Sequence, residues 1–129
     1  MKSLVAEDDA TSRKLLCAYL SRFGECDVAV DGKDAVDAVW QALQNHRSYD
    51  LVCMDLRMPL MDGQAAIREI RKQEATSATL NSVKIIVTTI HTNIEDISTA
   101  LLGRCNAYLV KPIDTAKLKR ELRSLGLIQ

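Results

Sequence analysis

The chain has 129 residues, 47% of them hydrophobic, and balances 17 lysines and arginines against 17 aspartates and glutamates. Such a length fills one packed core and leaves little room for another, so a single domain over 1–129 is expected. The balanced charge argues against a nucleic-acid footprint, and no apolar run approaches the roughly 20 residues of a membrane span.

Met1-Lys2 runs directly into Leu4-Val5-Ala6, which leaves no room for a signal peptide's apolar segment, so a cytoplasmic location is expected. The first strand is predicted over 3–6 and ends in three acids, Glu7-Asp8-Asp9. A helix follows over 10–23, with Asp9 or Thr11 as its cap and Leu15, Leu16, Tyr19, Leu20 and Phe23 on its apolar face. A second strand over 27–30 leads to a helix over 33–46, whose apolar side is Ala35, Val36, Val39, Trp40 and Leu43. His46 is placed at that helix's end, where the dipole favours positive charge.

The third strand, over 51–54, delivers Asp55 at its exit, ahead of a proline and the Asp62-Gly63 turn; a helix over 64–74 and a polar loop over 76–82 follow. Strand 84–88 leads into Thr88-Thr89, and then come a helix over 94–102, a strand over 107–110 ending at Lys111-Pro112, and a helix over 115–125 capped by Asp114. Alternation of short apolar runs with stretches of helical period is the pattern of βα units around a parallel sheet. Several strands are apolar throughout, so helices should cover both faces in a three-layer α/β/α sandwich. Nothing follows the last helix, and no output domain is expected. Cys17, Cys26, Cys53 and Cys105 are scattered, without zinc-site spacing, and read as reduced structural thiols.

In an open parallel sheet, ligands collect beyond the carboxyl ends of the strands, which singles out Glu7-Asp8-Asp9, Asp55, Thr88-Thr89 and Lys111. Carboxylates converging there repel one another, and a hard divalent cation with oxygen ligands, Mg²⁺, relieves the repulsion. Lys111 and Thr89 would then offer an ammonium and a hydroxyl to the oxygens of a transferring phosphoryl group, with Thr88 a plain β-branched strand residue. An aspartate against the cation is itself able to accept that group as an acyl phosphate.

Four segments taken together resemble the response-regulator receiver family in order: Leu4-Val5-Ala6-Glu7-Asp8-Asp9, Met54-Asp55-Leu56-Arg57-Met58-Pro59-Leu60-Met61-Asp62-Gly63, Ile85-Ile86-Val87-Thr88-Thr89 and Tyr108-Leu109-Val110-Lys111-Pro112. The resemblance implies a flavodoxin-like fold with strand order 2-1-3-4-5 and a signalling domain that catalyses only its own phosphorylation and dephosphorylation. It makes Asp55 the phosphoacceptor, Lys111 the phosphate-contacting lysine, Thr89 the switch hydroxyl and Tyr108 the switch aromatic, with a cis peptide at Lys111-Pro112. Arg13 stands six positions after Glu7, which selects Glu7 and Asp8 as the acid pair, Glu7 acting through water; the register Asp8 with Asp9 is the alternative. Asp55 and the Arg57 carbonyl complete the implied Mg²⁺ ligands. The partners implied are a histidine kinase or phosphotransfer protein and a downstream protein target reached through the face formed by 94–102, 107–110 and 115–125, and the pattern also admits a phosphorylation-dependent homodimer.

Three positions depart from the commonest family residues around the site: Ile90 where a small residue is usual, Arg57 and His91. Arg104 stands where a glycine is frequent before the last strand. Ile90 keeps open the alternative of a degenerate receiver that binds a partner without phosphorylation. A phosphatase of the haloacid-dehalogenase type needs a second acid two positions after the nucleophile, and that position is Arg57.

Overall fold

A computed structural model of the protein describes residues 1–77, 81–90 and 104–129. In chain order the elements are β1 (Ser3–Ala6), α1 (Ala10–Leu20), β2 (Cys26–Ala29), α2 (Gly32–Gln44), β3 (Leu51–Asp55), α3 (Gly63–Thr76), β4 (Lys84–Thr89), β5 (Ala107–Val110) and α4 (Thr115–Ser124). The helix predicted over 94–102 lies outside the described residues. All four strand pairings are parallel and the order is β2-β1-β3-β4-β5, as predicted.

Side chains alternate across a strand, so each strand feeds two cores. Leu4, Val52, Met54, Ile85 and Val87 point to one side, where Val36 and Val39 of α2 and Ile67 and Ile70 of α3 meet them. Val5, Leu51, Cys53, Ile86 and Leu109 point to the other, against Leu20 of α1 and Leu118 and Leu122 of α4. The fully apolar strands therefore reflect cover on both faces, which makes the α/β/α sandwich.

Several local expectations shift. Helix α1 ends at Leu20, three residues early, because Phe23 N–H turns back to the Leu20 carbonyl and Gly24 follows at φ 149°. Leu15 is 70% exposed, and the buried side of α1 is set by Leu16, Cys17 and Leu20. Trp40 likewise stands outside the α2 core stripe. Strand β2 starts one residue early at Cys26, and α3 runs on to Thr76, into the segment predicted as loop. His46 lies beyond α2 at φ 55°, where its N–H reaches the Leu43 carbonyl and the next N–H, of Arg47, reaches Ala42. That pattern is a Schellman cap closed by a non-glycine residue, so His46 serves the helix end through its backbone.

The amino ends of β4 and β5 are clasped by one side chain of α3. Arg71 donates through Nη1 to Glu74 Oε1 at 2.7 Å and to the Val83 carbonyl at 3.0 Å, and through Nε to the Arg104 carbonyl at 3.0 Å. Buried Glu74 in turn accepts the Val83 N–H at 2.7 Å, and Asn106 Oδ1 accepts the Ile85 N–H at 2.8 Å. Arg104, the departure from glycine, thus has its carbonyl bound into this network.

At the other end of β3, the entry to α3 leaves no room for a side chain. A Cβ on Gly63 would lie 2.3 Å from the Asp55 carbonyl oxygen, so glycine permits the helix to start directly behind the strand exit.

Two stability outcomes follow from these contacts. Glu74→Ala leaves the Val83 N–H and part of the Arg71 guanidinium unpaired and should cost about 2–3 kcal/mol in urea unfolding. Gly63→Ala must push backbone against backbone and should cost roughly 1–3 kcal/mol in the same assay.

Candidate functional site

The four exits named from the sequence meet at the carboxyl edge of the sheet. Glu7 follows β1, Asp55 closes β3, Thr88 and Thr89 close β4, and Lys111 follows β5. Glu7, Asp8 and Asp55 each place a carboxylate oxygen within 4.8 Å of the others. The Lys111 ammonium is ion-paired with Glu7 and lies 3.4 Å from Asp55 Oδ2.

The register of the acids is set by local hydrogen bonds. Asp9 turns away to accept the Ser12 N–H at 2.8 Å, capping α1, while Arg13 Nη1 donates to the Glu7 carbonyl at 2.9 Å. Glu7 and Asp8 are left facing Asp55. Asp62 caps α3 by accepting the Ala65 N–H at 2.8 Å, and the Arg57 N–H donates to Asp55 Oδ1 at 3.3 Å, so the 56–62 loop wraps the Asp55 carboxylate. The Lys111-Pro112 peptide is cis, and the Lys111 N–H donates to the Thr89 carbonyl at 2.7 Å.

Alternation separates the two threonines. Thr88 is in register with Asp55 on one side and with Leu109 on the other, so all three share a face. That face carries Glu7 and Lys111, and Thr88 lines one cleft with them. Thr89 pairs with Val110 and falls with Val87 and Tyr108 on the opposite face. The register thus places the Thr88 side chain, rather than that of Thr89 chosen from the sequence, on the face of Asp55. Counting by twos from the partner of Asp55 was the signal available for it. Tyr108 is partly buried against the core on the α2 and α3 side, beside Val87. Ile90 is 63% exposed just past β4. His91 lies outside the described residues.

The electrostatics are those of crowded anions. Burial, followed by contact with Asp55, raises the Glu7 carboxyl above its ordinary value, and Lys111 opposes this only in part. Burial works against the Lys111 ammonium, but Glu7 and Asp55 outweigh it and raise its affinity for the proton. Among the described residues, three carboxylates thus face one ammonium, and Glu7 Oε2 is buried with no hydrogen-bond partner among them. An orphaned carboxylate oxygen beside two further carboxylates fits a hard cation with oxygen ligands and bound water. Together the groups offer a nucleophilic carboxylate, an ammonium and a hydroxyl around one point.

A family model for the response regulator receiver domain matches residues 4–123. The chain is 33% identical over 114 residues to hybrid signal transduction histidine kinase I of Dictyostelium discoideum, covering 88% of this chain but only 6% of that kinase's length. Among solved structures, it resembles the receiver domain of a sensor histidine kinase from Pseudomonas aeruginosa with magnesium in its active-site cleft, at 32% identity, 97% coverage of both chains and a TM-score of 0.78. It also matches a complex of the Saccharomyces cerevisiae histidine phosphotransfer protein Ypd1 with the receiver domain of Ssk1, at 26% identity, TM-score 0.82, and coverage of 98% of this chain and 88% of that one. No helix among the described residues is long and apolar enough to cross a membrane. With the family pattern spanning nearly the whole chain on a sheet of matching order, the protein belongs to the response regulator receiver domains of two-component signalling.

Proposed function

We propose that Asp55 accepts a phosphoryl group from a phosphohistidine of a histidine kinase or phosphotransfer protein, and that the resulting acyl phosphate switches the surface of the domain. The observation that carries this reading is the meeting of Glu7, Asp8, Asp55 and Lys111 at one rim of the sheet. Asp8, Asp55 and the Arg57 carbonyl would hold Mg²⁺, with Glu7 acting through water. The cation would neutralise charge on the phosphoryl oxygens while they pass between donor and acceptor.

In the transfer, an Asp55 carboxylate oxygen forms the new P–O bond as the P–N bond of the donor breaks and its electron pair returns to the imidazole. Lys111 lies beside Asp55 already and stays protonated, so its ammonium balances charge at the acceptor throughout. Thr88 presents a hydroxyl on the same face for a remaining phosphoryl oxygen. Thr88 adjoins Val87, the register partner of Tyr108, so movement of this end of β4 with Thr88 would bias that ring between two positions.

The donor has to reach Asp55 from the open rim. Among the described residues, the most exposed large apolar side chains lie along it: Leu15 on α1 at 70%, Leu60 in the 56–62 loop at 83%, and Ile90 at 63%. Leu15 shares the cleft of Glu7, Lys111 and Pro112, so a phosphotransfer partner would seat apolar contacts around its histidine. The exposure of Ile90 also speaks against its filling the phosphoryl position.

Intact mass after acetyl phosphate treatment with Mg²⁺ tests the acceptor. The wild-type chain should gain one phosphoryl group and Asp55→Asn none, and an equal gain in both would refute the assignment. Mg²⁺ at about ten times its Kd should stabilise the protein by about 1.4 kcal/mol. Asp8→Asn should act in opposite directions: without divalent cations it relieves repulsion and stabilises by about 1 kcal/mol, yet it weakens Mg²⁺ binding roughly tenfold or more in calorimetry. Thr88→Ala should slow phosphorylation more than Thr89→Ala, read as the rate of mass gain.

A further inference from the structure

Two thiols meet away from the acidic rim. Cys17 lies on the buried side of α1, Cys26 opens the edge strand β2, and both pack against the core on the α1 and α4 side. The Cys17 thiol donates to the Cys26 carbonyl oxygen at 3.6 Å, which brings the α1 cysteine onto the backbone of the strand cysteine. Ser3 is the β1 residue in register with Cys26. Both cysteines retain partial solvent access, whereas Cys53 is wholly buried and Cys105 packs on the opposite side of the sheet.

We infer that Cys17 and Cys26 form a reversible disulfide, a redox-modification site that ties α1 to the edge strand. A helix thiol that already touches the backbone of the strand cysteine lies within the short reach over which a disulfide closes by local adjustment. A pair of this kind in a protein without a disulfide framework is the sort that is transient and redox-sensing.

The oxidant is a peroxide, and the chemistry balances as two thiols and one hydrogen peroxide giving one disulfide and two waters. Burial pushes the Cys26 thiol up to about 12, so Cys26 keeps its proton until the second step. Cys17 loses its proton to solvent and attacks one peroxide oxygen; the O–O bond breaks, hydroxide leaves and takes up a proton as the first water, and Cys17 becomes a sulfenic acid. Cys26 sulfur then attacks Cys17 sulfur, the S–O bond breaks, and the Cys26 proton joins the departing hydroxide as the second water. The bond closes a short loop over 17–26, including the Gly24 turn, and restricts the unfolded chain. It leaves Asp55 and its ligands untouched, so the inference stands independently of the phosphoryl chemistry.

The test treats the full chain with hydrogen peroxide, denatures it without reductant, blocks free thiols with a maleimide and maps peptides by mass. A monomer that takes up two maleimides instead of four, with a peptide linking Cys17 to Cys26 that dithiothreitol releases, is the expected result. Cys105→Ser should keep the crosslink, and Cys17→Ser should lose it. The oxidised wild-type protein should also show a higher urea midpoint than its reduced form. All four thiols remaining reactive at a dose that fully oxidises dithiothreitol, links that involve Cys53 or Cys105, or sulfinic acid without a crosslink would each overturn the inference.

Discussion

Repulsion among three carboxylates governs this molecule. Parallel strands deliver their carboxyl ends to the same edge, and three acids from β1 and β3 arrive there within 4.8 Å of one another. Lys111 from β5 offsets part of the charge by pairing with Glu7 and approaching Asp55. What remains is a concentrated negative field with one oxygen of Glu7 left without a partner. Such a site is costly as folded structure, and its donor set fits a hard cation with oxygen ligands.

The scaffold separates that chemistry from its own stability. Like charges crowd the carboxyl rim, while the opposite edge is closed by Arg71 and Glu74, which satisfy backbone groups from the turns before β4 and β5. Close approach does the positioning in between. Gly63 lets α3 begin directly behind Asp55, and Gly32 lets α2 begin beneath the 56–62 loop, where a Cβ would collide with the Met61 carbonyl. Helix caps orient the acids that are not in the cluster: Asp9 and Asp62 bind their own helix ends and so stay out of it.

Helix α1 links the site to the rest of the surface. Its start follows the acid pair, Leu15 reaches the cleft beside Lys111, and Cys17 reaches the edge strand on the inner side. Tyr19 donates to the Thr115 carbonyl at the start of α4. A bond between Cys17 and Cys26 would hold this helix at its middle while leaving the acidic end free, which places redox state and partner docking on one element.

Much of this was legible along the chain. Five apolar runs, each followed by a polar exit, determined the parallel sandwich, and the residue types at the exits identified Asp55, Lys111 and the acids, because strand order and chemistry both concentrate at that edge. Helix ends were less legible, since the turns at Phe23 and His46 depend on backbone closures that leave no hydrophobic period. Which of two adjacent threonines shares the face of Asp55 was visible only in the register against β3, because identical side chains one position apart differ solely in the face they occupy. Likewise Leu15 and Trp40 read as core until packing showed which arc of each helix meets the sheet. The meeting of Cys17 with Cys26, and the clasp of Arg71 on two strand ends far from it in sequence, came from the tertiary structure alone, because contacts between separate elements have no spacing rule in one dimension.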